Sequence, residues 1–284
     1  MKIRDYEDNI LEFEKNMLDL KLIYKNNYND RERKNIYQMA RKMSRTNLPK
    51  SRERDEKVQE KVLRPFFLRS LKVFESSLIS DYFSEKSKKI KLIRDSSLGD
   101  HEANLYYVAS KGRETSFKVY VPTGDLTISD QMSYAHEMGH VPEIEKPRKT
   151  YLEYTEALPI FMEYIIENRR YKDSSDALDH FSMERLHAEQ EEARDLLKIY
   201  KECENKNKIV QQYQFHVFAD YYKYLESLDY TLQLIDLFDE DKDAVTSEIE
   251  KVINGKSMNK VAKDLDINTD GCMRLRKEFK RISR

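Results

Sequence analysis

The sequence predicts a mostly α-helical protein with one small β-hairpin. Three observations lead there. Glycine and proline number only six each in 284 residues, so few positions break a helix. Charged residues make up 36% of the chain, well above the roughly 25% of an average globular protein. Apolar residues recur at three- and four-residue spacing along most of the length, and the pattern turns strand-like only between residues 103 and 122. No internal repeat or low-complexity linker divides the chain. The expectation is a single domain over 1–284, with N-terminal helices over 1–93 and a core over 95–284.

Taken in order, ILEFEKNMLDLKLIY places Ile10, Phe13, Met17, Leu20 and Ile23 on one helical stripe. A charged stretch from Asn26 to Glu60 follows, read as helix, turn and helix around Asn47-Leu48-Pro49. VLRPFFLRSLKVFESSLISDYF, residues 62 to 83, is the most apolar piece of this half, with Pro65 expected in a first helical turn, where its missing N–H costs nothing. ANLYYVAS and SFKVYVP, separated by Lys111-Gly112-Arg113-Glu114, read as a β-hairpin. Thr127-Ile-Ser-Asp130 has the spacing of a helix start, and the helix it opens is expected to end near His140 or Val141, because Pro142 disfavours helix before it. A second such start, Thr150-Tyr-Leu-Glu153, opens a helix with a kink expected at Pro159. Long helices follow over about 177–204 and 210–239, then shorter ones around the Asn254-Gly255 turn.

Lysine and arginine total 51 against 52 aspartates and glutamates, a net charge of −1, so no overall field draws in nucleic acid or a membrane. No apolar run approaches the roughly 20 residues of a membrane helix. Cys203 and Cys272 lack ligand-like spacing and form no disulfide framework. The first residues, MKIRDYEDNILEFEKN, are charged throughout and have no apolar signal-peptide core. The expectation is a cytoplasmic protein with no membrane partner.

The chemistry is concentrated in His136-Glu137-Met138-Gly139-His140. Residues four apart on a helix are offset by only about 40° and stack one turn apart, so both imidazoles can address one ion. Glu137 lies at the edge of the same face, suited to take a proton from water rather than to ligate. Gly139 is a poor helix former, and its small size admits another backbone close by. The competing reading is a surface helix with two solvated histidines. A catalytic zinc needs a third protein ligand and an open position. Glu153, Glu156 and Glu163 on the following helix are the candidates, one to ligate and another to orient a histidine.

SDQMSYAHEMGHV resembles the core of thimet oligopeptidase and oligoendopeptidase F, a helical, zincin-type family of zinc metallopeptidases that take their third ligand from a glutamate. Glu156-Ala-Leu-Pro-Ile-Phe-Met-Glu163 is similar to that family's second-helix motif. The resemblance implies that His136, His140 and Glu156 bind Zn2+, with Glu163 behind them; the roughly 15 residues between His140 and Glu156 are fewer than the family usually has, which keeps Glu153 as a rival ligand. It implies that Glu137 is the general base. Phe218-Ala-Asp-Tyr221-Tyr222-Lys-Tyr224-Leu225 resembles the family's tyrosine-rich helix, which implies that Tyr224, with Tyr221 or His216, donates to the oxyanion. The family places a histidine about a dozen residues before the last tyrosine, where this chain has Gln212 and Tyr213. The implied partner is an oligopeptide or unstructured peptide held along an edge strand of the 103–121 hairpin. The likeness covers roughly residues 95–284 of a chain much shorter than the usual member.

Two other classes compete. From Lys256 onward nine lysines and arginines face four acids, and SMNKVAKDLDINTDGCMRLRKEFKRISR has the outline of a helix-turn-helix, with Ala262 and Leu265 packing and Thr269 opening a recognition helix. That would make a regulatory protease with a DNA-binding end. Asp266, where such a turn prefers glycine, and Gly271 count against it. A catalytically dead scaffold is the other, and the intact Glu137 with both histidines counts against that.

Overall fold

The computed structural model describes residues 38, 40–45, 48, 57–98, 104–108, 116–145, 156–171, 173–203 and 208–282. The expected helix over residues 10–24, the turns at 47–49 and 111–114, and the helix start at 150–153 lie outside them. In chain order the labelled elements are β1 (Lys57–Val58), α1 (Glu60–Ser70), a 3-10 turn (Leu71–Phe74), α2 (Ser77–Lys89), β2 (Lys91–Asp95), β3 (Asn104–Val108), β4 (Ser116–Pro122) and β5 (Leu126–Thr127). Then come α3 (Ile128–Glu145), α4 (Ala157–Arg170), α5 (Ser174–Cys203), α6 (Lys208–Glu240), α7 (Lys242–Ile253), α8 (Met258–Asp264), a second 3-10 turn (Asp270–Cys272) and α9 (Met273–Ile282). The protein is mostly helical.

The chain gathers into two compact units, one of residues 1–47 and 187–222, the other of 48–186 and 223–284. Helices α5 and α6 each contribute to both. Within the first unit, Gln190 Nε2 donates to the Met43 carbonyl at 2.8 Å and Arg194 Nη2 to Gln190 Oε1 at 2.7 Å. The second unit carries the remaining labelled elements and the candidate site.

The hairpin forms as expected, with β3 antiparallel to β4 in a register running from Asn104 opposite Tyr120 to Val108 opposite Ser116. Along β4 the side chains alternate, and Phe117, Val119 and Val121 are buried. That period of two is what one covered sheet face requires. A further strand, β2, pairs parallel to β4, so the order is β2-β4-β3. The sequence reading ran the N-terminal helices to residue 93; the helix ends at Lys89 instead. Ile90 is buried, and Lys91–Asp95 turns extended against its distant partner. β1 and β5 form a separate two-residue antiparallel ladder.

Three prolines behave differently from expectation. Pro65 sits inside α1, well past its first turn. It is exposed, so the Lys61 carbonyl that loses its helical partner can turn to water. Pro142 lies inside α3, which continues to Glu145 rather than stopping at His140 or Val141. Glu145 is held by Tyr82 Oη at 2.9 Å and by Lys86 Nζ at 2.5 Å, in a largely buried cluster. These contacts hold the helix end beyond the proline, against the roughly 3 kcal/mol a mid-helix proline costs. Pro159 produces no break, because α4 begins at Ala157 and the first helical N–H bond is made by Ile160, to the Glu156 carbonyl at 2.9 Å. A proline in that first turn gives up nothing.

The C-terminal region follows the expected sequence of short helices. Gly255 takes φ 104° between α7 and α8, a left-handed conformation glycine adopts freely. Asp266 also takes a positive φ, 52°, as Ile267 N–H returns to the Ala262 carbonyl at 2.8 Å and ends α8. Helix α9 buries Leu275 and Phe279. Arg274 forks onto Asp236 of α6 at 2.5 and 2.9 Å, and Arg281 pairs with Asp179 of α5 at 2.5 Å. Among the described residues, no helix is long and apolar enough to cross a membrane.

Candidate metal centre

Helix α3 is started by the residues its sequence nominated. Asp130 Oδ2 accepts from the Thr127 backbone N–H at 2.5 Å and from its hydroxyl at 2.9 Å, so the Asp130 carboxylate reaches back over the helix start. Two turns on, His136 and His140 stand one above the other, with ring centroids 5.0 Å apart. Between them Gly139 meets the first turn of α4. A Cβ at Gly139 would lie 2.5 Å from Pro159 Cα and 2.8 Å from Pro159 N. Only glycine lets the two backbones approach so closely, and that approach delivers Glu156, the residue just before α4, to the imidazoles.

Glu156 Oε2 lies 3.2 Å from His136 Nε2 and 3.5 Å from His140 Nε2. One donor atom from each of the three residues falls within 4.8 Å of the others. Donors about 2.1 Å from one tetrahedral ion stand about 3.4 Å from each other. Both Glu156–imidazole separations are close to that value, and the group could hold a metal ion. His136 Nδ1 is engaged by Glu163 Oε1 at 2.6 Å, which directs its Nε2 toward the shared centre. Glu163 is 4% exposed and also faces Arg185 of α5, whose Nη2 is 3.2 Å from the same oxygen.

The electrostatics are those of a cation site. Burial opposes charge on His136, but hydrogen bonds to Glu156 and Glu163 prevail and raise its pKa to about 9. Burial and the neighbouring His136 take His140 down to about 4. Glu156 is held at about 2: burial favours its neutral form, and the His136 hydrogen bond with both imidazoles overrides it. Glu163 likewise lies below its ordinary value, against the effect of burial, because Arg185 and His136 stabilise its charge. The His136 imidazole thus stands between two carboxylates, the half-buried Glu156 on its Nε2 side and the buried Glu163 on its Nδ1 side.

Glu137 is different. Burial lifts its carboxyl to about 7, a shift that His136 and the Leu105 backbone N–H of β3 only partly restrain. A carboxyl that titrates near neutrality exchanges protons with water readily.

Of the residues singled out from sequence, His136, Glu137, His140, Glu156 and Glu163 are brought together. Tyr224 lies on α6 with its ring under the Arg185 guanidinium, the guanidinium carbon 5.2 Å from the ring centroid. Tyr221 and His216 are on the same helix, but their side chains lie outside the described ones, and Glu153 lies outside the described residues altogether. Arg185 was missed. It sits in SMERLHAEQEEARDLLK, a charged run that reads as a solvated helix face, and nothing in its spacing marks it for burial. No family model matches the chain, and neither a curated protein nor a solved structure matches it.

Proposed function

We propose that the protein is a zinc metallopeptidase of the helical, glutamate-ligand zincin type that hydrolyses oligopeptides or unstructured peptides. The observation that carries this is the convergence of His136, His140 and Glu156, with Glu156 Oε2 3.2 and 3.5 Å from the two Nε2 atoms, beside a carboxyl, Glu137, that titrates near neutrality. Bound zinc would supply an electrophile that polarises the scissile carbonyl and acidifies water.

His136, His140 and Glu156 hold the ion, and Glu163 fixes the tautomer and direction of His136. Glu137 takes the proton of the attacking water and passes it to the leaving amine. The Tyr224 hydroxyl donates to the oxyanion of the tetrahedral intermediate. Strand β3 pairs only with β4 among the described strands, and its Leu105 N–H bonds to Glu137. An extended peptide added along that edge passes beside the base, which favours unfolded over folded substrates. The helix-turn-helix reading draws no support from the tail, where Arg274 and Arg281 are committed to ion pairs with α6 and α5.

The test is digestion of a peptide library read by mass spectrometry, with metal content measured on the same samples. Wild type should carry about one zinc per chain and cleave. Glu137→Gln should keep the zinc and lose cleavage by at least about 10²-fold. Turnover retained in Glu137→Gln, or a wild type that holds no metal, would reject the assignment.

A further inference from the structure

We propose that Arg185 is a positioning residue that fixes the Glu163–His136 hydrogen bond and the Tyr224 ring as one unit, tying the metal-binding imidazole to the candidate oxyanion donor. The proposal deepens the peptidase reading and rests on it for the roles of His136 and Tyr224.

The geometry is that of a hub. Arg185 Nη2 lies 3.2 Å from Glu163 Oε1, the same oxygen that meets His136 Nδ1 at 2.6 Å. The guanidinium carbon meanwhile lies over the Tyr224 ring, 5.2 Å from its centroid. Three helices thus converge on one side chain: α5 supplies Arg185, α4 Glu163 and α6 Tyr224. An arginine suits the place because its planar cation addresses a carboxylate with its edge and an aromatic ring with its face at once. Its side chain is 16% exposed, so the guanidinium lies largely out of water beside the Glu163 carboxylate. A cation so placed is held by the charge of Glu163, and Glu163 in turn is fixed between it and His136.

Two effects of removing Arg185 on zinc affinity have opposite signs, which makes the proposal decidable. As a bare positive charge near the ion, Arg185 repels it, and its loss would tighten binding. As a positioning residue it keeps Glu163 aimed at His136, and its loss should weaken binding on the order of 10–100-fold, as removal of such supporting groups does.

The experiment uses the full chain as wild type, Arg185→Leu and Arg185→Lys, alone and combined with Glu163→Gln. Zinc affinity is read by competition with a chromophoric chelator. The His136 imidazole 15N–1H signal is read in zinc-free protein and identified by its loss in His136→Gln. Peptide cleavage supplies kcat and KM. Arg185→Leu should weaken zinc on the order of 10-fold or more, move the His136 signal, and lower kcat more than it changes KM. Arg185→Lys should shift both in the same direction and by less. Zinc affinity in the Arg185→Leu, Glu163→Gln double variant should match that of Glu163→Gln alone, because Arg185 acts through that carboxylate. Zinc affinity that rises or holds, an unmoved His136 signal in either variant, or additive losses in the double variant would overturn the proposal. If wild type takes up no zinc but substitution of Arg185 still moves the His136 signal, the peptidase reading falls and the positioning role stands.

Discussion

Adding one methyl group at Gly139 should damage the metal site more than it damages the fold. In Gly139→Ala the new Cβ would stand 2.5 Å from Pro159 Cα and 3.2 Å from the Leu158 carbonyl carbon, all of it backbone with no flexible end to yield. Carbon atoms rest at about 3.5–4.0 Å, so the first turn of α4 must retreat by about 1 Å. Alanine regains roughly 1 kcal/mol of helix propensity, and overpacking costs about 1–3 kcal/mol, so the net loss of stability should be about 1 kcal/mol. The site has less tolerance. Glu156 sits directly before α4, and its 3.2 and 3.5 Å separations from the imidazoles are already those of a filled tetrahedron. Moved out by about 1 Å, its oxygen can no longer share an ion with both nitrogens at about 2.1 Å. Zinc affinity should fall on the order of 10–100-fold, and cleavage by about 10²-fold. Urea unfolding gives the first quantity and chelator competition the second. A Gly139→Ala protein that binds zinc as tightly as wild type would refute the reasoning, because it would show that Glu156 does not depend on this backbone contact.

The pKa of His136 is raised to about 9 from an ordinary 6.5, so its proton contributes stability to the zinc-free chain below about pH 6.5, and that contribution is lost as pH climbs through about 9. Zinc must displace this proton, so apparent affinity should rise about tenfold per pH unit across neutrality and flatten near 9, with about one proton released per ion by calorimetry in buffers of different ionisation enthalpy. Asp130→Ala removes the cap on Thr127 and should lower stability by about 1 kcal/mol in urea unfolding. Arg274→Ala breaks the fork onto Asp236 and the 2.7 Å bond to Glu278, itself 2% exposed, and should cost about 2 kcal/mol in the same assay.

The parts of the site that could be read from sequence are those set by local periodicity. The four-residue spacing of His136 and His140 puts them on one helical face whatever surrounds them, and the small residue between them signals a close neighbour. The seven-residue spacing of Glu156 and Glu163 puts both on one side of α4, although only packing decides that the first meets Nε2 and the second Nδ1. Tertiary structure decided the rest. KKIKLIRD contains no turn signal, and β2 becomes a strand only because β4 runs beside it. Pro142 obeys its local preference until Tyr82 and Lys86, from far earlier in the chain, take hold of Glu145. Arg185 is indistinguishable from its charged neighbours until α4 and α6 close around it.

The helix that carries both imidazoles is fastened at each extremity: Asp130 ties down its first turn, and Glu145 is moored to α2 beyond the proline. Helices ordinarily unravel from their ends inward, and here both ends are pinned, so the stretch between is the segment least able to open. A chelating pair borne there stays in register, and its amides should be among the slowest of the chain to exchange with deuterium.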